Sequence, residues 1–248
     1  MSTTEVELEL SGVRRAFGTT QALRGISLAV HRGEVYGLVG PDGAGKTTAI
    51  RMLAGLMRPD EGRVRVLGED PAHPSSPVRE QLGLVPQRNS LYGDLSVDEN
   101  LRFFSRLFGL SRADFEPRRE RLLSITRLAR FTERRADALS GGMYKKLALA
   151  CALLHQPRVL LMDEPTNGVD PVSRRELWEL LYGLVHDGMT LVVSTPYMDE
   201  ASRCHRVGLL YAGEIIAEGP PRELARAHGV APGNFEEVFL QLIRGRAA

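Results

Sequence analysis

The sequence predicts an α/β fold: a core of buried strands, joined to an antiparallel β subdomain and an inserted helical subdomain. Three observations predict it. The runs at 35–39, 159–162 and 191–194 are continuously apolar, as parallel strands buried on both faces are. The first residues alternate instead between charged and apolar, with a period of two. Residues from about 97 to 154 show helical periodicity and contain no strand candidate.

The individual elements follow from the same patterns. Val6, Leu8 and Leu10 alternate with glutamates, which predicts a strand with one solvated face, antiparallel and near a sheet edge. Leucines at helical spacing predict a helix at 171–186 with one apolar face. The remaining predicted elements are a strand at 26–30, a helix at 47–56, a break at 58–62, a hairpin of 207–210 and 214–218 turned at 211–213, and terminal helices near 221–227 and 235–243.

The order of these elements predicts a single domain of 248 residues with three parts. The core takes roughly 1–90 and 155–220. The helical subdomain takes roughly 91–154, and the C-terminal helices take roughly 221–248.

Composition excludes several classes of protein. A balance of 32 Lys and Arg against 31 Asp and Glu gives no support to a nucleic-acid partner, and 43% hydrophobic residues exclude long disorder. No stretch approaches the about 18–20 apolar residues that cross a bilayer, and the acidic start is unlike a signal peptide. Cys151 and Cys204 are far apart, which favours two reduced thiols over a zinc or disulfide site. We therefore expect a cytoplasmic protein that acts at membranes only through partners.

The strongest motif is the glycine-rich loop after the strand at 35–39. It fits the pattern GxxxxGK[ST] in full, and a helix follows it; its residues are Gly40, Pro41, Asp42, Gly43, Ala44, Gly45, Lys46 and Thr47, with Thr48 next. The glycines let amides turn inward on phosphate oxygens, Lys46 reaches the β- and γ-phosphates, and the Thr47 hydroxyl binds magnesium. A glycine-rich turn without a ligand is the alternative, but the strand and helix on either side favour the motif. The loop predicts a nucleoside triphosphate site in a P-loop NTPase core.

Two carboxylates follow the buried strand at 159–162. Asp163 suits an outer contact to the magnesium, and Glu164 suits a catalytic base that polarises the attacking water. The pair could instead cap the turn that follows. Its position at the C-terminal end of a buried strand, where α/β sheets bind ligands, favours the catalytic interpretation.

A second candidate anion cradle lies ahead of a predicted helix, at Leu139, Ser140, Gly141, Gly142 and Met143. A hydroxyl, free amides and a helix N-terminus favour an anion there. One chain seldom needs two cradles for one nucleotide. Two chains arranged head to tail would use both, each closing over the other's nucleotide.

With these motifs the sequence resembles the ATP-binding subunit of an ABC transporter over essentially its whole length. The LSGGQ signature of that family is present as LSGGM. The resemblance implies ATP and Mg²⁺ as ligands, with Phe17 stacking on adenine and Thr47, Gln87 and Asp163 near the metal. It implies that Asp170 lies in the loop that contacts a second ATP-binding subunit, identical or different. It also implies integral membrane permease subunits and a peripheral position on the cytoplasmic face of the cell membrane.

Two further stretches, 194–201 and 235–240, are similar to the drug and antibiotic exporters of the family, which favours export. The helical stretch around 95–110, together with Gln87, is expected to dock the membrane subunit. Arg102, Arg106, Phe103 and Phe104 are the candidates there, although the two phenylalanines could also be core.

The sequence departs from the family at Pro196, where a histidine normally contacts the γ-phosphate. Proline has no side-chain donor and no amide hydrogen. One interpretation is a hydrolysis-impaired half of a heterodimer. The other, favoured by the presence of Glu164 and Lys46, is active hydrolysis aided by a repositioned hydroxyl such as that of Thr195. His205 is more easily explained as an ordinary histidine than as a displaced phosphate sensor.

Two other function classes are weaker. A soluble ABC ATPase acting on DNA or ribosomes typically has a long coiled coil or two ATPase domains, and this chain has neither. A GTPase or small-molecule kinase would share the loop, but the sequence has no guanine-reading NKxD segment. The second cradle would have no role in such an enzyme.

Overall fold

The computed structural model describes residues 5–88, 90–231 and 234–247. The strands are β1 (Val6–Phe17), β2 (Thr20–His31), β3 (Val35–Val39), β4 (Glu61–Val66), β5 (Leu82–Val85), β6 (Val159–Asp163), β7 (Thr190–Thr195), β8 (Arg206–Tyr211) and β9 (Glu214–Gly219). The helices are α1 (Lys46–Leu53), α2 (Val97–Leu107), α3 (Arg112–Ile125), α4 (Gly141–Leu153), α5 (Pro171–His186), α6 (Met198–Ala201), α7 (Pro221–Ala227) and α8 (Phe235–Ala247), with 3₁₀ turns at Pro77–Gln81 and Ala136–Ala138.

The strands form two sheets. The larger has the order β5-β6-β7-β3-β8-β9, parallel except for β9, and the smaller is antiparallel with the order β2-β1-β4. In the larger sheet, Val39 pairs with Thr195 and Asp163 pairs with Ser194, so that β3, β6 and β7 end side by side. Ligands of α/β folds bind at this edge.

The continuously apolar strands serve two cores, one on each face of the larger sheet. In β6, Val159 and Leu161 pack towards α1 and the smaller sheet, whereas Leu160 and Met162 pack towards α4 and α5. Successive side chains of a strand point to opposite faces, so both sets must be apolar. This confirms the predicted α/β class.

The edge position predicted for the first strand is wrong. β1 is the central strand of the smaller sheet, and its pairing with β2 shifts register between Val6 and Leu8. Glu7 is consequently buried rather than solvated, with Arg158 donating to its carboxylate at 2.5 Å and Thr190 donating to its other oxygen. A buried carboxylate is tolerable because it has these two partners.

Two short strands were not predicted. β4 begins at the predicted break, and only Val64 and Val66 of its six residues are buried, which leaves little apolar pattern to recognise. β5 has four residues, including Gly83, where an added Cβ would lie 2.9 Å from a Leu160 methyl. The strand therefore fits beside β6 only because this residue has no side chain.

The helical stretch between β5 and β6 contains α2, α3 and α4, as predicted. Each helix begins at a serine whose hydroxyl accepts from the backbone: Ser96, Ser111 and Ser140. The helix at 171–186, the hairpin of β8 and β9 and the two terminal helices also lie where they were predicted. Within the described ranges, no helix has both the length and the apolar composition needed to cross a membrane.

Both cysteines are free and buried. Desolvation raises the pKa of the Cys151 and Cys204 thiols well above the ordinary value, and the charge of Glu200 adds to the effect at Cys204. The geometry therefore agrees with two unlinked, protonated thiols.

A fully buried carboxylate, Glu200, joins three elements beneath the end of β7. One oxygen accepts from the hydroxyls of Thr195 at 2.6 Å and Thr166 at 3.0 Å, and the other accepts from Trp178 Nε1 of α5 at 3.1 Å. The guanidinium of Arg174 lies 3.9 Å away. Because these donors have no access to water, each depends on the carboxylate.

Replacing this carboxylate tests its structural role. We expect Glu200→Gln to lower the free energy of unfolding by about 2–3 kcal/mol, because an amide cannot accept from all three donors. For a chain of this size, thermal denaturation would show a fall in Tm of about 5–10 °C.

A matched control is Glu179→Gln, which removes only the exposed ion pair with Arg175 on α5. That change is expected to cost less than about 0.5 kcal/mol. Equal Tm values for the two variants would contradict the role assigned to Glu200.

Candidate functional site

The loop at 40–48 links the C-terminal end of β3 to α1, and its path depends on two close contacts. A Cβ on Gly40 would lie 2.0 Å from the Leu210 carbonyl oxygen, and one on Gly45 would lie 2.5 Å from the Ala22 carbonyl oxygen. Gly45 also has a left-handed backbone, with φ of 112°. These glycines let the loop lie against β2 and β8, whereas an added Cβ at Gly43 would enter open space.

Lys46 begins α1, and its ammonium is turned back into the loop. It is 3% exposed and donates to the carbonyls of Gly40 at 2.9 Å and Pro41 at 3.0 Å. The same atom lies 3.2 Å from Glu164 Oε1. The loop thus has a buried positive charge at its centre, where it can meet a phosphate.

Asp163 lies at the end of β6, beside the loop. The Thr47 hydroxyl donates to Asp163 Oδ1 at 3.2 Å, and the Ser194 hydroxyl of β7 donates to the same oxygen at 2.5 Å. Hydroxyl and carboxylate oxygens are the donors that Mg²⁺ prefers. Thr47 and Asp163 therefore fit a magnesium ion, and the amide oxygen of Gln87 is a third donor of the same kind.

The backbone of Glu164 is held in an uncommon conformation. Its φ is 49°, in the left-handed region, and its amide donates to the carbonyl and the hydroxyl of Ser194, each at 3.1 Å. Such a conformation costs on the order of 1–3 kcal/mol and is characteristic of functional sites.

The Glu164 carboxylate is 4% exposed and faces Lys46 instead of capping the following turn. Gln87 Nε2 donates to its Oε2 at 2.7 Å, and Asn167 Nδ2 donates to the same oxygen at 3.3 Å. Ser194 contacts both Asp163 and the Glu164 amide, so one polar network joins five predicted residues: Lys46, Thr47, Gln87, Asp163 and Glu164.

Phe17 lies at the end of the β1–β2 hairpin, opposite Thr20, and is 46% exposed. The Arg15 guanidinium lies 5.0 Å from the centre of its ring. Ala22 of the same hairpin contacts Gly45, so the hairpin end lies beside the loop. An exposed ring at this place can stack on a flat base.

The predicted second cradle contacts another part of the chain. Ser140 is exposed and caps α4, while Leu139 and Met143 pack against the core. A Cβ on Gly142 would lie 2.5 Å from Ser173, and one on Gly141 would lie 3.1 Å from the Gly168 carbonyl oxygen.

Asp170 lies in the loop that the second cradle contacts. Its carboxylate caps α5, accepting from the amides of Val172 at 3.1 Å and Ser173 at 2.9 Å. Hydrogen bonds from Ser173 hold the pKa of Asp170 below its ordinary value. The cradle and this loop therefore form one continuous surface.

The proposed substitute for the missing histidine is not available. The Thr195 hydroxyl is buried, donates to Glu200 and accepts from the Tyr197 amide at 3.1 Å, so it does not face the loop. His205 Nδ1 accepts from the Val35 amide at 2.9 Å, at the start of β3 and therefore at the opposite end of the strand from the loop. His205 is exposed, and its interpretation as an ordinary histidine is confirmed.

Sequence reasoning missed three residues that the structure brings to the site. Ser194 donates to the Asp163 carboxylate and accepts from the Glu164 backbone amide, and the available signal was its position at the end of the apolar run 191–194. Asn167 lies three residues before Asp170, and its side-chain amide donates to Glu164. Lys145 donates to the Gln87 carbonyl at 3.0 Å, and nothing in its spacing indicated this.

Comparison with known proteins agrees with this geometry. The family model described as ABC transporter matches residues 23–167. The chain is 41% identical to the probable multidrug ABC transporter ATP-binding protein YbhF of Escherichia coli (strain K12), over 96% of this chain and 42% of that protein. It is 42% identical to Nod factor export ATP-binding protein I of Rhizobium sp. (strain N33), over 90% of this chain and 74% of that protein. The chain thus spans less than half of the first relative and about three quarters of the second.

Solved structures give the same result. A structure described as an ATP binding subunit of an ABC transporter has a TM-score of 0.85 and 30% identity, over 96% of this chain and 99% of that one. The ADP conformation of an ATP-binding cassette from an ABC transporter has a TM-score of 0.80 and 26% identity, over 96% and 99%. The resemblance seen in the sequence motifs is confirmed. The chain belongs to the ABC transporter family, as one of its ATP-binding subunits.

Proposed function

We propose that this chain binds ATP with magnesium and hydrolyses it as the motor of a transporter. The observation that carries the proposal is the network of Lys46, Thr47, Asp163, Glu164 and Gln87 at one edge of the sheet. In this assignment Lys46 and the amides of the 40–48 loop bind the phosphates, and Phe17 stacks on adenine.

The residues around Glu164 supply the chemistry. Thr47, Asp163 and Gln87 would hold the magnesium, which supplies charge neutralisation at the phosphate oxygens. Glu164 accepts the proton of the attacking water, and Gln87 and Asn167 fix the direction of its carboxylate. Lys46 keeps that carboxylate close to the phosphate loop.

The separation of the two cradles supports a head-to-tail dimer. The loop at 40–48 contacts β2 and β8, whereas Gly141 and Gly142 contact the loop and helix around Asp170. Ser140 is exposed there, with a helix N-terminus behind it. We propose that Leu139–Met143 closes over the nucleotide of a second ATP-binding subunit and that Asp170 shapes the same interface.

The docking surface for the membrane subunits is proposed at α2. Rings of Tyr92, Phe103, Phe104, Phe108 and His155 form a continuous row, with neighbouring centres 4.2–6.4 Å apart. A groove of about 190 Å³ lies beside it, between β5, α2 and α4. Phe103 is 37% exposed and can contact a partner, whereas Phe104 packs on the core. Of the two predicted phenylalanines, Phe103 is therefore the candidate for docking.

Of the two arginines expected to dock the membrane subunit, Arg102 is less suited to that role. Arg102 forms ion pairs with Asp98 at 2.7 Å and with Glu116 at 3.8 Å. Its charge is therefore already paired within the helical subdomain. The exposed apolar row is therefore the better surface for a helix of a permease subunit. Such docking would place the chain at the cytoplasmic face of the cell membrane, as a peripheral subunit.

Export is the proposed direction of transport. The relatives named for multidrug transport and for Nod factor export are 41% and 42% identical to this chain. The cargo is set by the membrane subunits, so the proposal names none.

Pro196 supports a second candidate, a hydrolysis-impaired subunit paired with an active one. With Thr195 bound to Glu200, its hydroxyl does not replace the absent histidine. A lost transition-state donor is worth about 2–4 kcal/mol. Because the Glu164 network is complete, active hydrolysis remains the first proposal.

The base assignment is tested with Glu164→Gln. We expect kcat for ATP to fall by about 100-fold or more, because the amide cannot accept the proton. With ATP and magnesium, the variant should elute as a dimer from a sizing column, since nucleotide binding is retained. Adding Lys46→Ala to this variant should abolish the dimer; a dimer that forms without ATP would contradict the proposed arrangement.

The two candidates are separated by the rate of the wild-type chain. Under the first, wild-type kcat lies far above that of Glu164→Gln, and Pro196→His changes it by less than about tenfold. Under the second, the wild-type rate lies close to that of Glu164→Gln, and Pro196→His raises it by about 30-fold or more, as expected from restoring one donor.

The docking surface is tested by introducing a charge. Leu107, one helical turn beyond Phe103, is 66% exposed, and Leu56, beyond the end of α1, is 67% exposed. When tagged chain is recovered from gently solubilised host membranes, Leu107→Glu should lose the co-purifying multi-span membrane protein. Leu56→Glu changes an equally exposed leucine but should keep that protein, because Leu56 is not part of the proposed docking surface. Loss in both variants, or in neither, would contradict the assignment.

A further inference from the structure

Two neighbouring residues of the helix that follows the second cradle hold the segment that carries Gln87. Lys145 Nζ donates to the Gln87 carbonyl at 3.0 Å. Four residues further on, the Leu91 amide donates to the Tyr144 hydroxyl at 3.0 Å. The segment after β5 is thus attached to the first turn of α4 at both of its ends.

Gln87 depends on this attachment more than a buried residue would. It is exposed, yet its side-chain amide reaches Glu164 Oε2 at 2.7 Å. Among the described contacts of Gln87, the bond to Lys145 is the one that fixes its backbone. Without that bond the side-chain amide would occupy many positions relative to Glu164. The carbonyl bonded to Lys145 belongs to the same residue as the amide that orients Glu164.

The environment of Lys145 differs from that of a surface lysine. Its side chain is half-buried, and this burial lowers the pKa of its ammonium, while the charges of Asp163 and Glu164 oppose the effect. A lysine that served only for solubility would extend into water. Here the ammonium donates to the Gln87 carbonyl and interacts with the charges of the catalytic carboxylates.

We propose that Lys145 is a positioning residue for the hydrolysis reaction: it holds Gln87 against Glu164 and so links the second cradle to the chain's own catalytic carboxylate. The inference rests on the proposed function. Lys145 follows Met143 by two residues, so the cradle that receives a partner's nucleotide and the contact that orients Glu164 belong to one rigid turn of helix. A displacement of α4 would move Gln87 with it.

The neighbouring lysine supplies a matched control. Lys146 lies on the same turn of α4 but bonds to Glu176 of α5, and its recorded contacts do not include Gln87. Lys145→Met and Lys146→Met each remove one ammonium and its hydrogen bond from the same helix. Lys145→Arg keeps a donor that can reach the carbonyl.

Steady-state kinetics give the first readout. We expect Lys145→Met to lower kcat by about tenfold with KM for ATP changed less than about twofold, because positioning acts in the transition state. Lys145→Arg should retain more than about half of kcat, and Lys146→Met should keep kcat within about twofold. In a Gln87→Ala background, Lys145→Met should cause no further loss, since both residues act through one contact. Equal losses in the two methionine variants, or multiplied losses in the double variant, would overturn the proposal.

Hydrogen exchange gives a readout that does not need turnover. In Lys145→Met, peptides covering 84–92 should exchange faster than in the wild type, and in Lys146→Met they should not. If the wild-type rate of ATP hydrolysis is no higher than that of Glu164→Gln, the proposed function is contradicted but the positioning role of Lys145 is not. Unchanged exchange in Lys145→Met would refute the positioning role, whatever the activity.

Discussion

The parallel pairing of β3, β6 and β7 sets their C-terminal ends in one line, and each chemical group of the site is placed relative to that line. β3 leads into the 40–48 loop, β6 ends at Asp163, and β7 supplies Ser194 between them. Ser194 binds Asp163 through its hydroxyl and Glu164 through its carbonyl and hydroxyl. The left-handed backbone of Glu164 persists because its amide has these two acceptors.

The buried pair of Lys46 and Glu164 shows how the site tolerates charge. Removing both groups from water is expensive, and their attraction alone seldom offsets the cost. Each charge therefore has further partners: two loop carbonyls for Lys46, and the amides of Gln87 and Asn167 for Glu164. These partners fix the direction of both groups, which matters more for chemistry than for stability.

Much of this arrangement could be predicted from the sequence because it is local. Glycine spacing identified the loop, and the apolar runs identified β3, β6 and β7. The position of β1 could not be predicted, since alternation describes its faces but not its neighbours, and Arg158 is 151 positions from the glutamate that it meets. The hydrogen bond from Thr195 to Glu200 could not be predicted either, because no sequence pattern indicates which acceptor a threonine hydroxyl will bind. The contact between Lys145 and Gln87 joins residues 58 positions apart, and only the packing of α4 on β5 creates it.

The two native cysteines are buried with thiols of raised pKa, so neither supplies a reactive thiolate at neutral pH. A single cysteine introduced on the surface would therefore be the preferred target of a maleimide dye or spin label. Placed near Ser140 in one sample and near Thr48 in another, such labels could report distances between the subunits of the proposed dimer without first removing Cys151 or Cys204. The native packing thus makes the wild-type background itself suitable for measuring how two chains approach each other.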